Sequence, residues 1–466
     1  MSYKEDLALM AHLSRRAGFG ANKEELERWV AQGYEATVEE LVDPPEDKAA
    51  GKSALLLRYE PGVLLPGGQP FVGVWTWLFN MITTQRPLEE KMALFWHHVF
   101  ATGNSKVDNC DQMLEQIIMF RGHGMGNYRD LLVEVAKNPA MIYWLDNNEN
   151  HRDAVNENWG RELLELFSMG VSNYTEVDVR EVSRAFTGWT IQPKLPRRPY
   201  GRFPWRFDYL PEDHDFAEKT FLGHTGPFNG EDIIDIIVQQ PATSRFVCRH
   251  LYNFFVADEV QVPAWTIEPA HDEEALGIMI NTFEKSGYDI KAVLKTMFNA
   301  DFFKNARYAK IKSPLEVVAG TLKLVGAYQF PEPTMRSLGP ETSYMGQSVL
   351  DPPSVEGWQT GTEWINSGSL LARVNFVADR VADTSFPGIQ DIIVRFKEEG
   401  VVTPEQLIDA SLEAMGFLEI SKETRNQLLE HLWRDGSLDW SDEASSGTRV
   451  GEMLALIGAT TEYQFG

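Results

Sequence analysis

The sequence is organised around one helical pattern, Asn156-Glu157-Asn158-Trp159-Gly160-Arg161-Glu162-Leu163-Leu164-Glu165-Leu166-Phe167-Ser168-Met169-Gly170. Asn156 is a favourable N-cap and Gly170 a favourable stop, so we expect one helix over 156–170. Helical spacing gives this segment an apolar arc of Trp159, Leu163, Leu164, Leu166 and Phe167. The opposite side, here named the polar arc, carries Glu157, Asn158, Arg161, Glu162 and Glu165. We expect the Arg161, Glu162 and Glu165 face to be mostly buried, where such charges need partners.

Helical periodicity with Gly, Pro and capping residues fills most of the remaining chain. It breaks over 190–230 and 328–368, where Pro, Gly and aromatic residues are frequent. In the first of these excursions we expect one small hairpin, around 203–210 and 219–222. The sequence therefore predicts a mostly α protein: a large multi-helical body over 1–385 with two long irregular excursions, and a small helical appendage over 386–466.

Composition excludes several classes of protein. The 466-residue chain has a formal net charge of −25, which argues against nucleic acid as a partner because phosphate contacts need a basic surface. Two cysteines are too few for a disulfide framework. No apolar run is long enough to cross a bilayer, and the N-terminus lacks the features of a signal peptide. We therefore interpret the sequence as that of a soluble, cytoplasmic protein without a membrane span.

A set of motifs follows in a fixed order along the chain. They are Leu13-Ser14-Arg15-Arg16-Ala17-Gly18-Phe19-Gly20, Phe95-Trp96-His97-His98-Val99-Phe100-Ala101-Thr102, Asn156-Glu157-Asn158 with Arg161-Glu162-Leu163-Leu164-Glu165-Leu166-Phe167, Arg184-Ala185-Phe186-Thr187-Gly188-Trp189, His214-Asp215 with Lys219-Thr220-Phe221-Leu222-Gly223, Pro241-Ala242-Thr243-Ser244-Arg245-Phe246, and Gly346-Gln347 through Pro352-Pro353 to Gly357-Trp358. Together they resemble the bacterial family called domain of unknown function 1800, across residues 5–385. The resemblance implies a mostly helical fold and no established activity. Family members often carry Trp-His-x-His-Phe, whereas Val99 occupies the second His position here, so a two-histidine site is not carried over.

A metal site is the first chemical hypothesis. Its candidate ligands are His97, His214 and Asp215, which would hold a divalent metal if separate elements brought them together. His97 and His98 are adjacent on a helix and point apart, so they are poor joint ligands. The alternative is that His97 is a structural histidine, hydrogen-bonded at the edge of its helix.

Paired carboxylates are the second hypothesis. Glu162 and Glu165 lie one turn apart and are candidates for acid–base catalysis, with Arg161 fixing the carboxylates or binding an anionic group. The alternative is an ordinary surface ion pair between Arg161 and Glu165. The candidate substrate-binding residues are Asn158 on the polar arc, Lys219 as an anion ligand, and Trp358 as a stacking platform. For Trp358 the alternative is that it packs its loop onto the helical body.

Two functions follow from these candidates. The first is a hydrolytic enzyme acting on a small molecule or glycan, with its pocket between the 156–170 helix, the His97 helix and the His214 loop. Glu162, Glu165, Arg161 and His97 would be its catalytic residues. The second is a non-catalytic binding or assembly protein whose polar residues form a buried structural network. Convergence of these side chains on an open pocket would favour the enzyme.

Overall fold

The computed structural model describes residues 2–45, 56, 70–195, 203–432 and 436–466. Over these residues the structure is 62% helix, with 24 α-helices and two small two-stranded sheets. The expected mostly α fold is therefore confirmed. Among the described residues, no helix combines the length and the apolar character that crossing a membrane requires.

The first half of the fold, as far as the structure describes it, is built from helices. Its helices are α1 (Tyr3–Arg16), α2 (Lys23–Gln32), α3 (Tyr34–Val42), α4 (Pro70–Thr83), α5 (Pro87–Val99), α6 (Asn104–Val107), α7 (Cys110–His123), α8 (Tyr128–Lys137), α9 (Pro139–Trp144), α10 (Asn158–Glu165) and α11 (Glu176–Ala185).

The four short strands come next, and helices resume after them. The strands are β1 (Trp189–Gln192), β2 (Arg206–Tyr209), β3 (Lys219–Phe221) and β4 (His224–Gly226). The helices are α12 (Gly230–Val238), α13 (Pro241–Phe255), α14 (Glu273–Lys285), α15 (Ile290–Asn299), α16 (Asp301–Lys304), α17 (Pro314–Leu324), α18 (Leu338–Tyr344), α19 (Ser367–Val381), α20 (Pro387–Glu398), α21 (Pro404–Ala414), α22 (Lys422–Leu432), α23 (Glu443–Gly458) and α24 (Thr461–Gln464).

The central helix α10 is shorter than the predicted 156–170. Asn156 is not its N-cap: the cap position belongs to Glu157, and the Asn156 side chain accepts a hydrogen bond from the Asn158 amide at 3.0 Å. At the other end, the Met169 and Gly170 amides both bond to the Leu164 carbonyl, and Gly170 has a φ of 78°. The chain therefore leaves the helix after Glu165 in tight turns that end at this glycine.

The first excursion forms two small antiparallel sheets, so the expected pairing was wrong. Strand β2 pairs with β1 and not with 219–222, whereas β3 pairs with β4. Leu222 and Gly223, with φ of 45° and 82°, form the two-residue turn between β3 and β4. Positive φ at both positions suits a tight hairpin, so the 219–222 segment folds back on its own neighbours.

The second excursion contains regular structure that the sequence reading did not predict. Helix α18 lies within it, flanked by short 3₁₀ turns at Pro333–Ser337 and Gly361–Trp364. Trp358 and Trp364 are buried in the core cluster. They therefore attach this excursion to the helical body.

The C-terminal helices dock tightly on the rest of the body. Helix α23 packs along α19, and α21 packs on α23. Thr403 caps α21 ahead of Pro404, as the sequence predicts. At the end of the chain, the Lys312 amide donates to the Gln464 carbonyl at 3.1 Å, and the Gly466 amide donates to the Lys310 carbonyl at 2.8 Å. Residues 464–466 thus pair by backbone hydrogen bonds with residues 310–312.

Gly388, near the start of α20, packs closely against the end of α17. Its replacement by Ala is expected to be destabilising. A Cβ there would stand 2.3 Å from the Leu324 carbonyl oxygen and 2.8 Å from the Val325 carbonyl carbon. Because the obstacle is backbone, we expect a loss of about 1–3 kcal/mol in the free energy of unfolding, typical of overpacking. Urea unfolding of the full chain measures it.

The matched control is Gly277→Ala in the middle of α14. A Cβ at Gly277 meets nothing within 4 Å. Ala has the higher helix propensity, so this variant should gain about 0.5–1 kcal/mol of stability. Equal effects of the two substitutions would contradict a tight packing of α20 against the end of α17.

Candidate functional site

The polar arc of α10 lies at the protein surface, half in contact with neighbouring elements. Trp159, Leu163 and Leu164 are buried, which confirms the apolar arc. Arg161, Glu162 and Glu165 are only partly buried and Asn158 is exposed. The expectation that this face is mostly buried was therefore wrong, because α10 turns only its apolar arc towards the core.

Arg161 is directed away from the two candidate acids. Its guanidinium donates to both carboxylate oxygens of Glu176 on α11, at 2.9 and 2.6 Å, and lies 3.7 Å from Glu157. This contact, rather than a pair with Glu165, holds the arginine, and the hydrogen bonds to Glu176 raise the pKa of Arg161. Since Glu176 is 74% exposed, the pair contributes little stability but links α10 to α11.

Glu162 has the electrostatic setting of a proton-transfer group. Burial raises its pKa to about 7, the negative charges of Glu165 and Glu356 add to the rise, and the positive charge of Arg161 opposes it. At neutral pH this carboxyl therefore populates both its protonated and its ionised form.

Glu165 is held by a tyrosine that sequence reasoning missed. The Tyr174 hydroxyl donates to the Glu165 carboxylate at 2.8 Å. Burial raises the pKa of Tyr174, and its hydrogen bond to Glu165 raises that pKa further, so the hydroxyl stays protonated as the donor. In sequence, Tyr174 precedes the N-cap Thr175 of α11, and nothing in the local pattern shows that its ring folds back over α10.

His97 lies in the core, away from solvent. Its ring makes edge contacts with Trp77 and Trp358, at centroid distances of 5.6 and 5.3 Å. Neither ring nitrogen has a hydrogen-bond partner of normal geometry among the described residues. Burial lowers the pKa of His97 to about 3, so the ring is neutral. The alternative of a hydrogen-bonded histidine at the helix edge is therefore not what the structure has: His97 is enclosed by indole rings.

The loop at 356–358 connects α5 to α10. Glu356 contributes to the raised pKa of Glu162. Two residues on, the Trp358 amide donates to His98 Nδ1 at 3.2 Å, and the Trp358 indole donates to the Ser348 carbonyl at 3.2 Å. Trp358 is only 4% exposed, so it anchors the loop and does not present a stacking face to solvent. Two of the three elements expected to form the pocket, α5 and α10, thus approach the same loop of the second excursion.

His214, Asp215 and Lys219 form a separate group around the end of α11. His214 Nδ1 is 2.8 Å from the Thr187 carbonyl, and the Asp215 carboxylate accepts from Arg184 at 2.7 Å. The Lys219 ammonium donates to the carbonyls of Asp215 and Ala217. These side chains are engaged with Arg184 and Thr187 at the end of α11 and with their own loop, and none of these contacts involves His97.

The charges of this second group follow from burial. Burial lowers the pKa of His214 and that of Lys219. For Asp215, burial alone would raise the pKa, but the hydrogen bond and charge of Arg184 lower it overall. Among the described residues, no three His, Cys, Asp or Glu side chains are grouped so that they could hold a metal ion. The metal hypothesis therefore gains no support from the geometry.

Comparison with known proteins gives a family. The family model described as "Protein of unknown function (DUF1800)" matches residues 12–465. The chain belongs to this family. No curated protein and no solved structure matches it. The family match continues through the C-terminal helices to residue 465, although the recognisable motifs end earlier.

A cavity of about 270 Å³ lies on another side of the DUF1800 fold, and sequence reasoning did not predict it. It opens at the exposed side chains of Asn22, Gln85 and Gln329, and reaches inwards to Arg16, Lys312 and Glu316. The motif at 13–20 forms one wall, and residues 414–416 with Tyr463 and Gly466 form another. The walls come from segments far apart in sequence, so no local pattern could predict the cavity. Arg15 and Arg16 are the part of a quoted motif that lines it.

Proposed function

We propose that this DUF1800 protein is an enzyme of hydrolytic type in which Glu162 transfers the proton. The observation that supports the proposal is the pKa of Glu162, which burial raises to about 7 in a side chain that remains partly exposed. A general acid or base works best when its pKa lies near the working pH, because both protonation states are then available.

The remaining residues have distinct roles in this proposal. Glu165, held by the Tyr174 hydroxyl, is the second carboxyl of the pair and activates water, as in two-carboxylate hydrolysis. Arg161 is a positioning residue, since it fixes α10 to Glu176. Trp358 anchors the 356–358 loop by packing its indole ring against His97 and donating its amide to His98. The substrate is a neutral small molecule or glycan, because the surface around Glu157, Glu165 and Glu356 repels anions.

Replacement of Glu162 by Gln tests the proposal. We expect hydrolysis to fall by about 10²–10⁴-fold, the usual contribution of a general acid or base. The assay measures the purified full chain against chromogenic glycosides and neutral esters. Asp153→Asn is the matched control, because this carboxylate is 88% exposed and lies near α10 in sequence. A wild type that hydrolyses no substrate class, or a Glu162→Gln variant as active as wild type, would contradict the proposal.

The same variant has a stability readout that needs no substrate. The folded-state pKa of Glu162, about 7, lies above its usual value of 4.5. Its contribution to stability is therefore fully present below pH 4.5 and is lost as the pH rises through 7. Since Gln cannot ionise, Glu162→Gln should gain stability relative to wild type between pH 5 and pH 8. Urea unfolding at both pH values measures the difference, and a constant difference would show that Glu162 titrates normally.

A non-catalytic binding or assembly protein is the second candidate. It is favoured by the burial of His97, His214 and Lys219, since the latter two use their polar atoms within the protein. In that case Glu162→Gln would change stability with pH as described, while no substrate class would be turned over.

A further inference from the structure

The cavity described above has an excess of positive charge at its inner end. Arg15, Arg16 and Lys312 line it, and the ammonium of Lys91 lies directly behind. The carboxylate that faces them is Glu316, whose Oε1 is 2.5 Å from the Lys91 ammonium and 3.3 Å from Arg16 Nη1. One carboxylate thus serves two buried cations.

Arg15 and Lys312 have neutral partners instead. Arg15 Nη1 donates to the Gly416 carbonyl at 2.7 Å, and the Lys312 ammonium donates to the Tyr463 carbonyl at 2.5 Å. Arg15 Nε is enclosed and has no hydrogen-bond partner within the described ranges. No carboxylate of the described residues forms an ion pair with either side chain.

A third cation with neutral hydrogen-bond partners lies next to Arg15 and Lys312. Arg373 on α19 is fully buried and donates through its guanidinium to the Lys312 carbonyl. Its Nε also lacks a hydrogen-bond partner in the described part of the chain. Glu316 also attracts Lys312 and Arg373 without a direct ion pair, so one carboxylate faces several buried cations. Such an excess of positive charge is unfavourable, because each cation loses its hydration and makes hydrogen bonds mostly to neutral acceptors.

The mouth of the cavity is electrically balanced, in contrast to its inner end. The Lys323 ammonium donates to the Gly20 carbonyl at 2.7 Å and lies 3.8 Å from Glu25. A negatively charged group entering the cavity would therefore pass a neutral entrance and find its strongest attraction at Arg15, Arg16 and Lys312.

We propose that this cavity binds a small molecule through an oxyanion, a phosphate or carboxylate group, placed against Arg15, Arg16 and Lys312. Guanidinium groups bind such oxyanions with two parallel hydrogen bonds. This suits Arg15, whose Nε has no hydrogen-bond partner among the described residues. Arg16 already donates to Glu316 and to the Phe254 and Phe255 carbonyls, so it contributes mainly its charge. The volume of about 270 Å³ is near the lower end of ligand pockets, so the ligand is the size of a small metabolite. The remainder of the bound ligand would extend past Phe19 towards the mouth of the cavity.

The site joins the two ends of the chain. Arg15 and Arg16 come from α1, Lys312 from the segment before α17, and the opposite wall from Met415, Gly416 and Tyr463. A ligand in this cavity would bind the folded protein and not the unfolded protein. Its binding would therefore stabilise the docking of the C-terminal helices. This gives a thermal readout that is independent of any enzymatic activity.

Thermal unfolding of the full chain in phosphate, citrate and chloride at equal ionic strength tests the proposal. We expect phosphate or citrate at millimolar concentration to raise the Tm of wild type in a saturable way, whereas chloride does not. Arg15→Gln should weaken the binding at least about tenfold, because it removes one charge-assisted contact. Arg152→Gln is the control, since it removes the same charge from a surface side chain that is 53% exposed, and it should bind as wild type does.

The variants separate specific binding from general salt effects. Phosphate and citrate stabilise many proteins by exclusion from their surfaces, and such an effect would raise the Tm of Arg15→Gln and Arg152→Gln equally. Equal shifts would overturn the proposal. If Arg15→Gln does not fold, calorimetric titration of wild type with inorganic phosphate and with citrate decides: saturable binding of either supports the site, and its absence for both would mean that the cations are balanced within the chain.

Discussion

Replacement of Glu316 by Gln is expected to lower the free energy of unfolding by about 3–5 kcal/mol, the cost of leaving a buried charge without its partner. Glu316 is the carboxylate between Arg16 and Lys91, and all three side chains are buried. Gln keeps the shape and one acceptor oxygen but removes the negative charge. The two cations would then face each other in a poorly hydrated interior.

The carboxylate also fixes the start of α17. Glu316 Oε2 accepts from the Ser313 amide at 2.6 Å, while the Ser313 hydroxyl accepts from the Glu316 amide at 3.3 Å. This capping box satisfies two backbone donors at the helix N-terminus. Glu316 thus stabilises a helix end and an ion triad with one side chain. Gln can keep the capping box, so the expected loss comes from the ion triad.

Urea unfolding at neutral pH measures this loss. Glu413→Gln is the control, because its ion pair with Lys4 at 3.0 Å is exposed and should be worth less than about 1 kcal/mol. Burial alone would raise the pKa of Glu316, but the charges of Lys91 and Arg16 lower it well below its usual value. The contribution of Glu316 is therefore present above pH 4.5 and is lost as the pH falls. A small loss, equal to that of the control, would show that the triad is hydrated.

Local sequence patterns predicted the helices and strands of this fold better than they predicted which of these elements contact one another. The apolar arc of α10 depends on helical spacing within a few residues, so Leu163 and Leu164 were placed in the core from sequence. The strands at 206–209 and 219–221 were also anticipated. Their pairing was not, because it depends on where the intervening chain turns, and Leu222 gave no sign of adopting positive φ.

The site residues show the same division between local and long-range information. Arg161 and Glu165 have the spacing of a helical ion pair, yet Arg161 binds Glu176, which the packing of α11 brings closer. His97 lies at the edge of an apolar arc in sequence, but Trp358 encloses it from 261 positions away. No single-helix argument contains such a contact.

The charged cavity was the feature furthest from sequence prediction. Lys and Arg are mostly exposed in proteins, and no local pattern marks Arg16, Lys91 or Lys312 as buried. They are buried because three distant segments meet at Glu316.

A second buried ion pair should be almost as important to stability as the first. Arg249 on α13 and Glu259 in the following loop are 2.7 Å apart and only 3% and 2% exposed. Glu259 also accepts from the His271 amide at 2.7 Å, and the Arg249 guanidinium lies 4.7 Å from the centroid of the Trp265 ring. The pair therefore closes the loop between α13 and α14 from both sides.

Replacement of Glu259 by Gln is expected to cost about 3 kcal/mol or more in the free energy of unfolding, because Arg249 would remain buried and uncompensated. Arg249 keeps its bonds to the carbonyls of Glu268 and Pro269, at 3.0 and 2.9 Å, so the loss reports the charge rather than collapse of the loop. Urea unfolding of the full chain at neutral pH is again the measurement.

Glu273→Gln, at the start of α14, is a closely matched control. Glu273 pairs with Arg245 on the same helix α13 at 2.6 Å, but these side chains are 52% and 44% exposed. Loss of an exposed pair costs less than about 1 kcal/mol because water solvates the remaining charge. Both pairs join an arginine of α13 to a glutamate, with nearly the same distance between the charged atoms. They differ chiefly in the burial of these side chains. Equal losses in the two variants would therefore contradict burial as the source of the large effect, at Glu259 and at Glu316 alike.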